Sequence, residues 1–231
     1  MKLKDILSPS FKSVGHISVD FILPSLPMVN ACRADTFDFF QPAIDAGLLT
    51  VDQMHHATGR YYLGKTKGGQ PMFWMIDDML QPLDAHVSPD SWISTFLKAR
   101  EPLLQSWQVT HSLFGLHLIS DASHQPSPIC IVESEASAVV LSELFPESIW
   151  MAYVSIPHLT PDLLAPLEGH TVTIYPRTDD IMSTYLFFCD YAEQVLRFYS
   201  LDLHIDTTLE NHATEVQKSR GIDILDFILE P

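Results

Sequence analysis

Apolar residues in the second half of the chain fall into short runs separated by segments of helical spacing. Ile129–Val132, Ile149–Val154, Thr171–Tyr175 and Leu201–Ile205 read as strands. Ser134–Leu144 and Ile181–Tyr199 repeat their apolar residues at helical intervals, and Ile222–Leu229 reads as a last helix. Thr160–Leu167 reads as a short helix, with Thr160 as its cap and Pro161 at its first position. Strands and helices alternating at this pitch predict βαβ units. The expected class is therefore α/β: a Rossmann-type parallel sheet of about four strands with helices on both faces, occupying 125–231.

The first half reads differently. Residues 1–59 are expected to be a helical N-terminal segment, with one helix over Phe37–Leu49 closed by Gly47 and another over Val51–Thr58 capped by Thr50. Residues 60–124 read as a small α+β unit. Within it, Tyr61–Leu63 and Met72–Ile76 are strand-like and are joined by Gly64–Gln70, which holds Gly68–Gly69; this is a hairpin signal. A helix is expected over Asp90–Gln105, and Trp107–Ile119 leads into the next unit. Ser123–Pro128 is the expected boundary.

Composition narrows the function classes. Hydrophobic residues make up 46% and charged residues 18% of the 231 positions, which suits a packed core rather than disorder. No apolar run approaches the roughly 18 residues that cross a bilayer, and Met1–Asp5 does not open an export signal. Three dispersed cysteines without CxxC exclude a zinc ribbon, argue against a disulfide framework and suit a reducing cytoplasm. Thirteen basic residues against 29 acidic ones leave a net charge of −16, so contact with nucleic acid is expected to be weak or indirect. The charge keeps such a chain soluble and can also select a protein partner. No GxSxG or GxxxxGK[ST] pattern occurs, which disfavours a serine hydrolase and a P-loop nucleotidase.

Ligands of an open parallel sheet gather beyond the carboxyl ends of its strands. There the first strand is followed by Glu133 and Glu135, and the third by Arg177, Asp179 and Asp180. Carboxylates converging from those two ends would make an oxygen-rich pocket of the kind that binds Mg²⁺ and clamps phosphoryl groups. A simpler reading gives Glu133 and Asp179 only helix-capping roles. It gives Asp223 and Asp226 only a helix N-terminus and a solvated face.

Ile131–Ala138, with its Val132–Glu133–Ser134–Glu135, resembles the first motif of the Toprim domains of bacterial primases. It is closer still to the VESE-type variant of a Toprim-like family found beside primase and mobilisation functions on mobile elements. Thr173–Asp179 falls where such domains carry a strand ending in Asp-x-Asp, and Gly221–Phe227 resembles their terminal segment. Tyr62–Gly64, Phe73–Asp77 and Leu113–Leu118 are similar to the β unit preceding the domain, so the likeness spans roughly 60–229. It implies a Toprim-like fold and a role in replication or mobilisation. If active, such a protein would perform Mg²⁺-dependent nucleotidyl or phosphoryl transfer, with Glu133 and Asp179 catalytic and Asp180 as a further metal ligand. Arg177 departs from the pattern, standing where the first Asp of Asp-x-Asp belongs. Ala136 also departs, replacing the lysine of the VESEK form. Both changes point to a degenerate, weak Mg²⁺ site. The alternative is a non-catalytic acidic module that keeps the fold and binds a replication or mobilisation protein. Neither reading sets the oligomeric state.

Overall fold

A computed structural model describes residues 24–87, 91–100, 104, 109, 111–121 and 127–230. The expected boundary at Ser123–Pro128 and both ends of the expected Asp90–Gln105 helix fall partly or wholly outside those residues.

The alternation of the second half produces the sheet it predicts. Strands β5 (Ile129–Val132), β6 (Ile149–Ala152), β7 (Thr171–Ile174) and β8 (Asp202–Ile205) pair in parallel in the order β6-β5-β7-β8. Central β5 is buried on both faces, which is why Ile-Cys-Ile-Val reads as an unbroken apolar run. Helix α6 (Glu135–Leu144) follows β5 and buries Ala138, Val139, Val140 and Leu141 completely. It is apolar nearly all round because it lies between β6 and a helix of the N-terminal half, α3 (Val51–Arg60). Helix α7 (Ser183–Leu196) packs on β8 and buries Phe188, Tyr191 and Val195.

The segment Pro161–Leu167 between β6 and β7 is a 3₁₀ helix, and Thr160 makes no side-chain cap. Pro161 and Pro166 both lack an amide, so a regular α-helical ladder cannot form there. Three short helices close the chain: α8 (Thr208–His212), α9 (Glu215–Arg220) and α10 (Ile224–Leu229). The first two are additions to the expected pattern. Helix α9 carries a capping box from Thr214 and Gln217 and ends on Gly221 at φ +62°, a left-handed position that glycine takes without steric cost.

In the first half, α1 (Leu26–Cys32), α2 (Gln41–Asp45) and α3 precede a four-stranded antiparallel sheet in the order β1-β2-β3-β4. Its strands are β1 (Gly64–Lys65), β2 (Pro71–Ile76), β3 (Pro82–Val87) and β4 (Ser91–Trp92), followed by α4 (Ile93–Arg100) and the short α5 (Leu118–Asp121). The hairpin forms with Gly64 paired to Met72, but Tyr61–Leu63 is the turn leaving α3 rather than a strand. Tyr61 is wholly buried there, and its hydroxyl donates to the Trp150 carbonyl at 2.7 Å.

Strand β2 alternates between two cores. Phe73 and Met75 join the large cluster that also holds β5, β6 and α6, whereas Met72, Trp74 and Ile76 face α1 and α4. The antiparallel unit is thereby packed into the same core as the parallel sheet. A second joint is made at Gly115, which at φ +87° lets Phe114 pair with Ala152 on the β6 edge. A Cβ at Gly115 would come within 3.0 Å of the Trp150 carbonyl oxygen. No helix among the described residues is long and apolar enough to cross a membrane.

Candidate functional site

At the carboxyl ends of β5 and β7, Glu133 and Arg177 meet in one crevice, with Arg177 Nη1 3.4 Å from Glu133 Oε2. The two parallel hydrogen bonds that a guanidinium and a carboxylate favour are not formed between them. Instead Arg177 turns Nε and Nη2 onto the Gly221 carbonyl, at 2.9 and 2.6 Å, and only its third nitrogen reaches Glu133. Gly221 is the left-handed residue that ends α9, so its carbonyl is held toward the β7 loop by the same turn that stops the helix. Tyr153, just past β6, adds a buried hydroxyl beside Glu133. Burial pushes that hydroxyl's pKa well up, and the Glu133 carboxylate pushes it further. The neighbouring Val154 takes φ +68°, an uncommon and strained conformation for a β-branched residue.

Asp179 is committed elsewhere. Its Oδ1 accepts from the Ile181 and Ser183 amides at 2.9 Å each, and its Oδ2 accepts from the Thr184 amide at 2.7 Å and the Ser183 hydroxyl at 3.0 Å. These groups belong to the first turn of α7 and the loop leading into it, whose amides have no intrahelical acceptor. Desolvation acts to raise the Asp179 pKa but is outweighed by hydrogen bonds from Thr184, Ser183 and Ile181, which hold the carboxyl far below the usual range. Asp180 is exposed. Asp223 caps α10: its Oδ1 accepts from the Asp226 amide at 2.9 Å, and Asp226 returns the bond to the Asp223 amide at 3.2 Å. The other oxygen of Asp223 accepts from Ser137 of α6 at 2.5 Å, so the chain terminus is tied to the helix after β5. Burial, and then the charge of Asp223, raise the Asp226 pKa.

These residues do not fit a divalent cation. Glu133 has a guanidinium beside it, and both oxygens of Asp179 are saturated by donors. Among the described residues no group of three or more His, Cys, Asp or Glu side chains is placed to hold a metal. The structure thus brings Glu133, Arg177 and the Gly221–Asp223 turn together and sends Asp179 to a helix end.

Glu135 faces a second place. Its carboxylate lies 2.6 Å from Nδ1 of His86, with both side chains largely buried. The pair joins β3 of the antiparallel sheet to the first turn of α6. It lines a cleft of about 230 Å³ together with Asp38, Phe39, Lys65 and Ser134. Ser134 caps α6 by accepting from the Ser137 amide, and the ammonium of Lys65 rests over the Phe37 ring at 4.9 Å. Sequence reasoning missed His86. The only available signal was the alternation Leu83-Asp84-Ala85-His86-Val87, whose polar members hide the strand.

A family model described as a domain of unknown function, DUF6371, matches residues 46–178. No curated protein matches the chain. The matched stretch runs from before α3 through β7 to Arg177 and Thr178, and so takes in the antiparallel sheet, His86 and Glu135, and both sides of the Glu133–Arg177 contact. It covers more than half of the 231 residues, and the chain belongs to the DUF6371 family.

Proposed function

We propose that the chain is a Toprim-like module of the primase type that works without a metal centre, as an acidic protein-binding component of replication or mobilisation in a bacterial mobile element. The observation that carries this reading is the contact of Arg177 with Glu133 and the Gly221 carbonyl. In a metal-dependent Toprim site a second carboxylate stands near that place, and a guanidinium there repels a cation. The relative placement of the three resembling segments supports the fold side of the reading. Glu133, Arg177 and Gly221 come from the ends of β5, β7 and α9 and meet at one rim. The net charge of −16 favours a basic protein surface over bare duplex as partner.

Calorimetric titration with Mg²⁺ and Mn²⁺ tests the metal side. The wild type should bind no tighter than millimolar, the level of a surface carboxylate cluster. Arg177→Asp, which places a carboxylate beside Glu133, should tighten binding severalfold. Micromolar binding by the wild type, or metal-dependent nucleotide incorporation on a template, would overturn the reading. A duplex titration tests the partner side: sub-micromolar affinity that survives ~0.15 M salt would move the chain to direct nucleic-acid binding.

A further inference from the structure

The two edges of the parallel sheet are finished differently. At the β6 edge Phe114 and Ala152 exchange backbone hydrogen bonds of 2.9 and 3.0 Å. Strand β8 at the other edge pairs only with β7 among the described residues. Asp206 donates its amide to the Ile174 carbonyl in β7. Backbone groups alternate sides with period two, so those of Asp202 and His204 also turn toward β7, and those of Leu203 and Ile205 turn outward.

An open edge is usually blunted by shortness, charged side chains, proline, a bulge or a cover. Here Asp202 and His204 stand on one face of the strand, with side chains 63% and 59% exposed and Nε2 3.0 Å from Oδ1. Residues of opposite character two apart do not repel an inverted copy of themselves; they match it.

The helix beside this edge is also unfinished. On one side α7 leans on the 161–167 segment: Tyr191 donates to the Thr160 carbonyl at 2.9 Å, and Tyr199, just past the helix, donates to Asp162 at 2.5 Å. The flank turned toward β8 carries Tyr185 in contact with Cys189, within electrostatic reach of Glu210 and Asp206 just past the strand. Leu186 and Leu196 of α7, and Met182 just before it, are 55%, 48% and 40% exposed. Positions 185, 189 and 196 of α7 fall at the spacing of a helix–helix seam.

We propose that the β8 edge and the adjoining flank of α7 form a two-fold interface with a second copy of this chain, the two β8 strands pairing antiparallel about Leu203. With the axis at Leu203, its outward amide and carbonyl exchange bonds with those of the second copy. Asp202 then stands opposite the second copy's His204, and His204 opposite the second copy's Asp202. These are non-hydrogen-bonded positions, where side chains approach most closely. The contact is isologous and closed, and it joins two four-stranded sheets into one. The apolar flanks of the two α7 helices lie along the join on one face. The interface is on the sheet edge and does not depend on what the Glu133 crevice does.

Sedimentation equilibrium of the full chain tests it. The wild type should dimerise. His204→Glu sets a carboxylate opposite Asp202 at both ends of the join and should weaken the dimer at least tenfold, about 1.4 kcal/mol. Asp202→His combined with His204→Asp reverses both residues, keeps every acid opposite an imidazole, and should restore association. Both positions are exposed, and circular dichroism should show each variant folded. A wild type that stays monomeric overturns the proposal, whether solvent or another segment of the chain takes the edge. So does His204→Glu associating like the wild type, or a double variant as weak as the single one.

Discussion

Replacing Asp179 with alanine separates a helix-capping carboxylate from a metal ligand. The substitution removes one acceptor from three backbone amides and a hydroxyl at the start of α7. Losing a side-chain cap costs about 0.5–2 kcal/mol. The upper end applies here, because the acceptor is charged and several amides lose their partner together, so the expected loss is about 2 kcal/mol. For a chain of this length that lowers Tm by roughly 4–8 °C. Asp179→Asn keeps an acceptor and should lose about half as much. The pH dependence has a definite sign. The folded state holds this carboxyl below its ordinary value, so its contribution is complete above the unfolded pKa of ~3.9 and is lost as pH falls through the folded one. Urea melts followed by tryptophan fluorescence should therefore show a constant gap between wild type and Asp179→Ala from neutral pH to about 5, narrowing below about 4. Neither protein should be stabilised by millimolar Mg²⁺. An alanine variant as stable as the wild type would refute the capping role. A wild type that Mg²⁺ stabilises and an alanine variant that it does not would show that Asp179 is a ligand.

Three further substitutions test how the antiparallel unit is held. His86→Ala leaves Glu135 buried without its partner and should cost about 3 kcal/mol in urea melts, whereas Glu135→Gln, which keeps a hydrogen-bonding group, should cost less. Equal losses would deny the pair its role in joining β3 to α6. Asp84 is buried, and burial raises its carboxyl above the ordinary range despite hydrogen bonds from Ser94 and Ala85. An acid raised in this way favours the folded state more as pH falls toward its ordinary pKa. Asp84→Asn, whose amide can serve the same partners, should be neutral or stabilising at pH ~7, and a loss above ~1 kcal/mol would show that the ionised form is needed.

The parallel sheet was legible because two of its strands are buried on both faces, and Ile129–Val132 or Ile149–Ala152 cannot be solvated as loops. The antiparallel sheet was only half legible. Met72–Ile76 is apolar on both faces because two cores meet at it, but β3 carries Asp84 and His86 among its apolar residues and was passed over. Both polar residues are satisfied by partners distant in sequence, Ser94 and Glu135, which no local pattern reveals. The crevice shows the same limit. Glu133 beside Arg177 follows from two strand ends lying side by side in a parallel sheet. The attachment of Arg177 to Gly221 does not, because it depends on where α9 stops in space.

The loop after β7 explains why a single substitution would not rebuild a strong cation site. Arg177 is fastened to Gly221, and the Thr178 amide donates to the Ile222 carbonyl at 3.1 Å. Thr178 is buried and its hydroxyl donates to Glu210 of α8, while Asp179 is spent on α7. These contacts of residues 177–179 all reach beyond residue 178, where the match to the family model ends. Arg177→Asp changes the charge facing Glu133, yet the loop keeps its path because Thr178 and Asp179 still anchor it. A cation would then meet two carboxylates on fixed backbones rather than three or more that can close around it. The affinity gained should stay far from that of a built oxygen cage, which needs six or more ligands around Ca²⁺ or a near-octahedral shell around Mg²⁺. The arginine is thus one part of a closure supplied by the C-terminal helices.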